Sequence, residues 1–122
     1  METIKQTFRI HHIPEEAKSL ALIVDDPDAP KGTFTHWVMW NIPPQEIIEE
    51  NTDPGDVGLN GKGENKYTGP CPPNGTHRYH FKVYALDTFL NLDKSSDKED
   101  LLKAMEHHIL SQGELTGKYS KE

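Results

Sequence analysis

The stretch LALIVDDPDAP, residues 20–30, decides the fold. Leu20 to Val24 is apolar at every position, so it cannot be a strand with one wet face, and it is too short for a helix. Pro27 and Pro30 stop it at once. The reading is a central strand covered on both faces, which delivers its end into a loop bearing three carboxylates. Each X-Pro bond holds the preceding residue, Asp26 or Ala29, in extended geometry, so the carboxylates are aimed and the loop has few conformations to lose.

Working outward, residues 4–10 alternate apolar or neutral (Ile4, Gln6, Phe8, Ile10) with Lys5, Thr7 and Arg9, the period of a half-solvated strand. HIPEEAKS, residues 12–19, reads as a turn. THWVMWNI, residues 35–42, is a buried or half-buried strand closed by Pro43-Pro44, and PPQEIIEE fits one helical turn. Residues 51–76 hold six of the nine glycines and four of the nine prolines, which predicts a long irregular excursion. HRYHFKVYALD, residues 77–87, is a strand with His77, Tyr79, Phe81, Val83 and Ala85 on one face and Arg78, His80, Lys82, Tyr84 and Leu86 on the other. Ser96 to Glu99 fits a capping box, and Leu101, Leu102, Met105, Ile109 and Leu110 extend a helix toward Gly113, with a short strand at ELTGKY. This is one domain over residues 1–122, mostly β, with one or two peripheral helices near the C-terminus.

With 13 Lys+Arg against 20 Asp+Glu, the net charge is -7. That balance recommends neither nucleic acid nor stable membrane insertion, and any anion must bind at a local site. Cys71 is the sole cysteine, so no internal disulfide forms; together with the absence of a signal-like or membrane-spanning run, this leads us to expect a soluble, cytoplasmic protein.

Two proline-stiffened loops, DPDAP and YTGPCPPNG, each feed the end of an apolar strand. If those strands are neighbours, Asp26, Asp28, His36, His77, the Tyr79 hydroxyl and the backbone N–H groups around Gly69 meet in one small pocket with prolines as apolar walls. Imidazoles beside carboxylates are readily positive near neutrality, and with a tyrosyl O–H and backbone N–H groups they make a donor set for an oxyanion such as a phosphate monoester. Asp26 and Asp28 then accept hydrogen bonds from those donors and orient them, while Asp25 is read as a solvated or capping charge. His11 and His12 face opposite ways, and His107 and His108 are placed in the last turns of the helix. No metal-ligand spacing appears, no cofactor is called for, and Cys71 has no base assigned to it. The alternative is a small phosphoester or ester hydrolase using His36 with Asp26.

The segments ALIVDDPDAP…GTFTHWVMWNIP and YTGPCPPNGTHRYHFKVYALD resemble the two signature regions of the phosphatidylethanolamine-binding protein family, which includes the Raf kinase inhibitor protein and prokaryotic relatives. The resemblance runs from about Pro14 to ELTGKYS. It implies a large antiparallel sheet packed on a smaller one, with an anion pocket at one end. Matched to the motifs, Asp26, Asp28 and Pro30 fall on D-P-D-x-P, His36 on the pocket histidine, Gly69 and Pro70 on the rim, Gly75 to Arg78 on G-x-H-R, and Tyr79 on the ligand-reaching tyrosine. Phe34, two residues before His36, stands for an aromatic that usually precedes the histidine, and Arg78 is a supporting residue. The S-P-x-L-x-W segment that family members carry before their first matched strand has no counterpart here. The implied function is binding a phosphate head group or other small anion, with kinase or protease inhibition by direct association and a homodimer as further implications.

Overall fold

In the computed structural model the residues described are 8–9, 13–27, 33–45, 47–48, 55–66 and 76–120; side-chain placement is described for these except at 8–9, 47–48, 76–79 and 115–120. They form β1 (Phe8–Arg9), β2 (Ser19–Asp26), β3 (Phe34–Ile42), β4 (Ile47–Ile48), β5 (Asp56–Val57), β6 (Thr76–Leu86), α1 (Lys98–Met105) and β7 (Ile109–Ser120). Five strands make an antiparallel sheet in the order β5-β3-β2-β6-β7, and β1 pairs with β4 in a second, two-stranded sheet.

The continuous apolar run lies where its pattern demands. β2 is the middle strand, and all eight of its residues are buried. Leu20, Leu22 and Val24 face one core with Trp37, Met39, Ile42, Phe81 and Ala85. Ala21 and Ile23 face the other, where Val38, Trp40, Leu86 and Leu90 meet Leu101 and Met105 of α1. Burial of each Leu, Ile or Val side chain contributes roughly 1.5–3 kcal/mol, so β2 anchors both cores. The two faces foreseen for residues 77–87 hold where side chains are described: Phe81 and Ala85 enter the first core, Leu86 the second.

β3 does not run in simple register with β2. Leu20 faces Ile42 but Leu22 faces Met39, and Val24 faces Trp37 but Asp25 faces Thr35, so β3 carries one extra residue at Trp40–Asn41 and another at His36. Asn41 takes the first bulge with a φ of 55°, a left-handed conformation that asparagine tolerates better than most residues. Its side chain secures the kink, donating to the Leu90 carbonyl at 2.9 Å and accepting from the Leu90 N–H at 2.7 Å.

Three expectations are corrected. Ile47 and Ile48 pair as a strand in place of a helical turn. The helix starts one residue later than the capping box at Ser96 implied, because Asp97 is the N-cap and exchanges side-chain and backbone bonds with Asp100. It also ends at Met105, before the expected Gly113. His107, at φ 67°, turns the chain out of the helix, so Ile109 and Leu110 begin a twelve-residue strand and sit 40% and 41% exposed. The 3.6-residue spacing of those two positions with Met105 is coincidental, since β7 is held by its pairing with β6. His108 accordingly is not helical, and its Nδ1 lies 2.8 Å from Asp87 Oδ1.

Leu101→Ala is expected to lower the unfolding free energy by about 2–5 kcal/mol, whereas Ile109→Ser and Leu110→Ser should each stay within about 1 kcal/mol of the parent. Urea unfolding with an unchanged denaturant slope checks this; a cost at Ile109 equal to that at Leu101 would restore the longer helix.

Candidate functional site

The candidate site is built at the end of the sheet where β2 finishes and β3 and β6 begin. Asp26 pairs with Phe34 across β2 and β3, while on the other side of β2 Asp25 pairs with His80 and Val24 with Phe81. His77 and Tyr79 therefore occupy register positions four and two residues beyond Phe81 on the strand next to Asp26. The condition set for a shared pocket is met: the two loop-fed strands, residues 20–26 and 77–87, are hydrogen-bonded partners, and residues 34–42 flank the first on its other edge.

The bulge at His36 changes which side chains can meet. Strict alternation from Trp37 would put Phe34 on the face opposite Asp26. The extra residue returns Phe34 to Asp26's face, because Asp26 alternates with Val24 and Phe34 is its direct partner. The Phe34 ring stands edge-on to the His36 ring with centroids 4.9 Å apart. Asp26 and His36 are both deeply buried, at 3% and 6% exposure, so a carboxyl group and an imidazole are held out of water at one strand end. The expected aromatic neighbour of His36 is thus present in space although Thr35 intervenes in sequence.

A turn within the irregular excursion expected over residues 51–76, which the sequence reading did not place at the site, closes over this corner. The Gly58 N–H donates to the Val38 carbonyl and the Gly61 N–H to the Thr35 carbonyl at 2.7 Å, which lays residues 58–61 along β3. Buried Asn60 organises the turn: its Oδ1 accepts from the Lys62 and Glu64 N–H groups and its Nδ2 donates to the Lys66 carbonyl. A Cβ placed on Gly61 would come within 2.5 Å of the Phe34 ring, so glycine is needed there for the loop to press against that ring. The Asn60-Gly61 dipeptide is the signal that could have marked the turn.

Asp25 overturns its expected role as a solvated charge. Its side chain is 3% exposed, and its Oδ2 lies 3.0 Å from Lys98 Nζ and 3.4 Å from Lys82 Nζ. A carboxylate taken out of water needs such partners, and two lysines replace its hydration here. Burial pushes the nearby Tyr84 phenol above its ordinary range, with Lys82 pulling the other way. Also on this back face, His80 Nδ1 lies 3.3 Å from Glu114. The remaining predicted site residues, Asp28, Pro30, Gly69 and Pro70, fall outside the described residues, as does Cys71, and the side chains of His77, Arg78 and Tyr79 do so too.

Comparison with known proteins agrees with this architecture. The family model described as phosphatidylethanolamine-binding protein matches residues 2–120. A UPF0098 protein of Pyrococcus abyssi is 52% identical over 98% of this chain and 73% of its own length. One of Methanothermobacter thermautotrophicus is 52% identical over 98% of this chain and 85% of its own. The crystal structure of a phosphatidylethanolamine-binding protein homologue from Chlamydia trachomatis superposes with a TM-score of 0.93 at 41% identity, covering 98% of this chain and 82% of that one. Escherichia coli YbcL, described as a member of the mammalian PEBP family, gives a TM-score of 0.87 at 28% identity with the same coverage. Among the described residues no helix is long and apolar enough to cross a membrane.

Gly61→Ala should displace the Phe34 ring and cost about 1–3 kcal/mol, as overpacking does. The check is the His36 ring resonances by NMR: they should move in Gly61→Ala and hold still in Gly113→Ala, where an added Cβ meets nothing within 4 Å.

Proposed function

The chain belongs to the phosphatidylethanolamine-binding protein family, and on that premise we propose that the Asp26–His36 end of the sheet is a pocket for a small phosphate-bearing or similar anionic ligand. The observation that carries the reading is a carboxyl group and an imidazole, both buried, on adjacent strand ends, with Phe34 paired to Asp26 across the strands and edge-on to the His36 ring. A carboxylate near an imidazole favours its charged form, and a cationic imidazole donates from both ring nitrogens. Asp26 orients donors in this reading and His36 presents them. In this reading His77 and Tyr79 add an imidazole and a phenol from β6, Asp28 joins Asp26 in orienting donors, Pro30 belongs to the stiffened loop, and Gly69 and Pro70 are the rim positions. Arg78 is the supporting residue of that reading.

The ligand class follows from what this donor set recognises: a phosphate monoester head, free or on a small molecule, has acceptor oxygens for imidazole, hydroxyl and backbone N–H groups. The net charge of -7 favours capture of a head group over adsorption to an anionic bilayer. Regulation of a kinase or protease would use the same pocket, with the anion supplied by the partner.

The test is an amide NMR titration with inorganic phosphate, phosphoethanolamine and phosphotyrosine near neutral pH. The amides of Asp26, His36, Gly69, His77 and Tyr79 are expected to shift together in the native protein and not in His36→Ala. No common set of responding amides would refute the pocket. Turnover of a phosphoester abolished by His36→Ala would replace binding with catalysis.

A further inference from the structure

Asp25 and Asp26 are consecutive, yet they work on opposite faces of the sheet. The front residue belongs to the proposed pocket; the back residue is buried with two cations on one of its oxygens. The strand end that carries both lies beyond the β3 bulge, where the ladder is interrupted between Val24 and Asp25, and Pro27 follows directly. Such an end is expected to fray, but Asp25 and Asp26 are only 2% and 3% exposed.

The two lysines come from different elements. Lys82 belongs to β6, whose N-terminal part carries His77 and Tyr79. Lys98 is the first residue of α1, packed against the back of the sheet through Leu101 and Met105. A cation in a helix's first turn opposes the helix dipole, so Lys98 is not there for the helix, whose own first turn supplies Glu99 and Asp100. Its partner is Asp25, 73 residues away in the chain.

We propose that Asp25, tied to Lys82 and Lys98, is a positioning residue for the anion pocket: the back-face ion cluster locks the end of β2 to β6 and α1 and so fixes the Asp26 carboxyl group. The proposal rests on the pocket reading given above. An apolar trio of similar volume would bury the strand end at least as favourably, but without direction, whereas an ion pair specifies where the backbone must sit. Asp26 follows any displacement of Asp25, because their Cα atoms are one peptide unit apart.

The experiment compares native protein, Lys98→Met, Lys98→Arg and Lys103→Met in two measurements: inorganic phosphate affinity by amide titration, and amide hydrogen exchange without ligand. Lys103, exposed in the last turn of α1, controls for the loss of one positive charge. Lys98→Met is expected to weaken phosphate binding about fivefold or more and to speed exchange at residues 24–26 and 34–36, the size of coupling seen between groups sharing a backbone segment. Lys98→Arg should restore both, and Lys103→Met should change neither. Native affinity in Lys98→Met, or an equal loss in Lys103→Met, would overturn the proposal. If native protein shows no phosphate response, the pocket reading fails separately and exchange alone decides: acceleration confined to those two strand ends supports positioning, and uniform or absent acceleration refutes it.

Discussion

The burial of β2 on both faces is the constraint from which the rest of the molecule follows. A strand with no wet side must pair its backbone with two neighbours, which β3 and β6 do, and must find partners for every polar side chain it carries. Ser19 at its start does so by donating to the Thr88 carbonyl at 2.6 Å. Asp25 at its end does so with two lysines. The same requirement applies to Asp26: a carboxyl group at 3% exposure is held by the protein rather than by water.

The second determinant is the irregularity of β3. Two bulges place one extra residue each at His36 and at Trp40–Asn41, and between them the strand presents Trp37 and Met39 to one core and Val38 to the other. Each bulge interrupts the ladder, and each is held from outside it. Asn41 clasps the backbone of Leu90, and the His36 region is flanked by the Gly61 N–H bond to Thr35 and by the Phe34 ring. A regular β3 would satisfy more of its own hydrogen bonds but would put Phe34 on the face opposite Asp26. The irregularity therefore decides which side chains share Asp26's face at the expense of regular pairing.

What could be read from the chain divides along the range of the interactions concerned. LALIV announced a central strand because continuous apolarity has one common explanation at that length, and the β6 faces followed from a period of two. The stiff loops suggested a shared pocket only on condition that residues 20–26 and 77–87 were neighbours, and the family signatures led to the same positions. Ile109 and Leu110 misled because Leu101, Leu102 and Met105 already set a helical phase that they happened to continue, while the residue that ends the helix, His107, adopts a positive φ that no local pattern announces. Asp25 misled because adjacent acidic residues beside prolines look like a solvated turn; the lysines that bury it lie 57 and 73 residues away, and only tertiary structure brings them together. The bulge at His36 was invisible for the same reason, since it is a property of two strands and not of one.

A chain of net charge -7 has no long-range field to gather anions, and at physiological ionic strength charges beyond about 8 Å are largely screened. Affinity for a phosphate group must therefore come from donors at contact distance, and these bind well only if they are already oriented when the ligand arrives. That shifts the burden of function from the number of positive groups to the rigidity of the strand ends that carry them. It also separates two roles around the site. The Asp25 cluster behind the sheet would, in the proposed reading, bear on how well the donors are held. The loop of residues 60–66, fastened by Asn60 and with Gly61 against the Phe34 ring, would in the proposed reading bear on which ligands fit. Chains that share the buried Asp–His pair but differ in that loop would be expected to hold the same anionic group on different molecules.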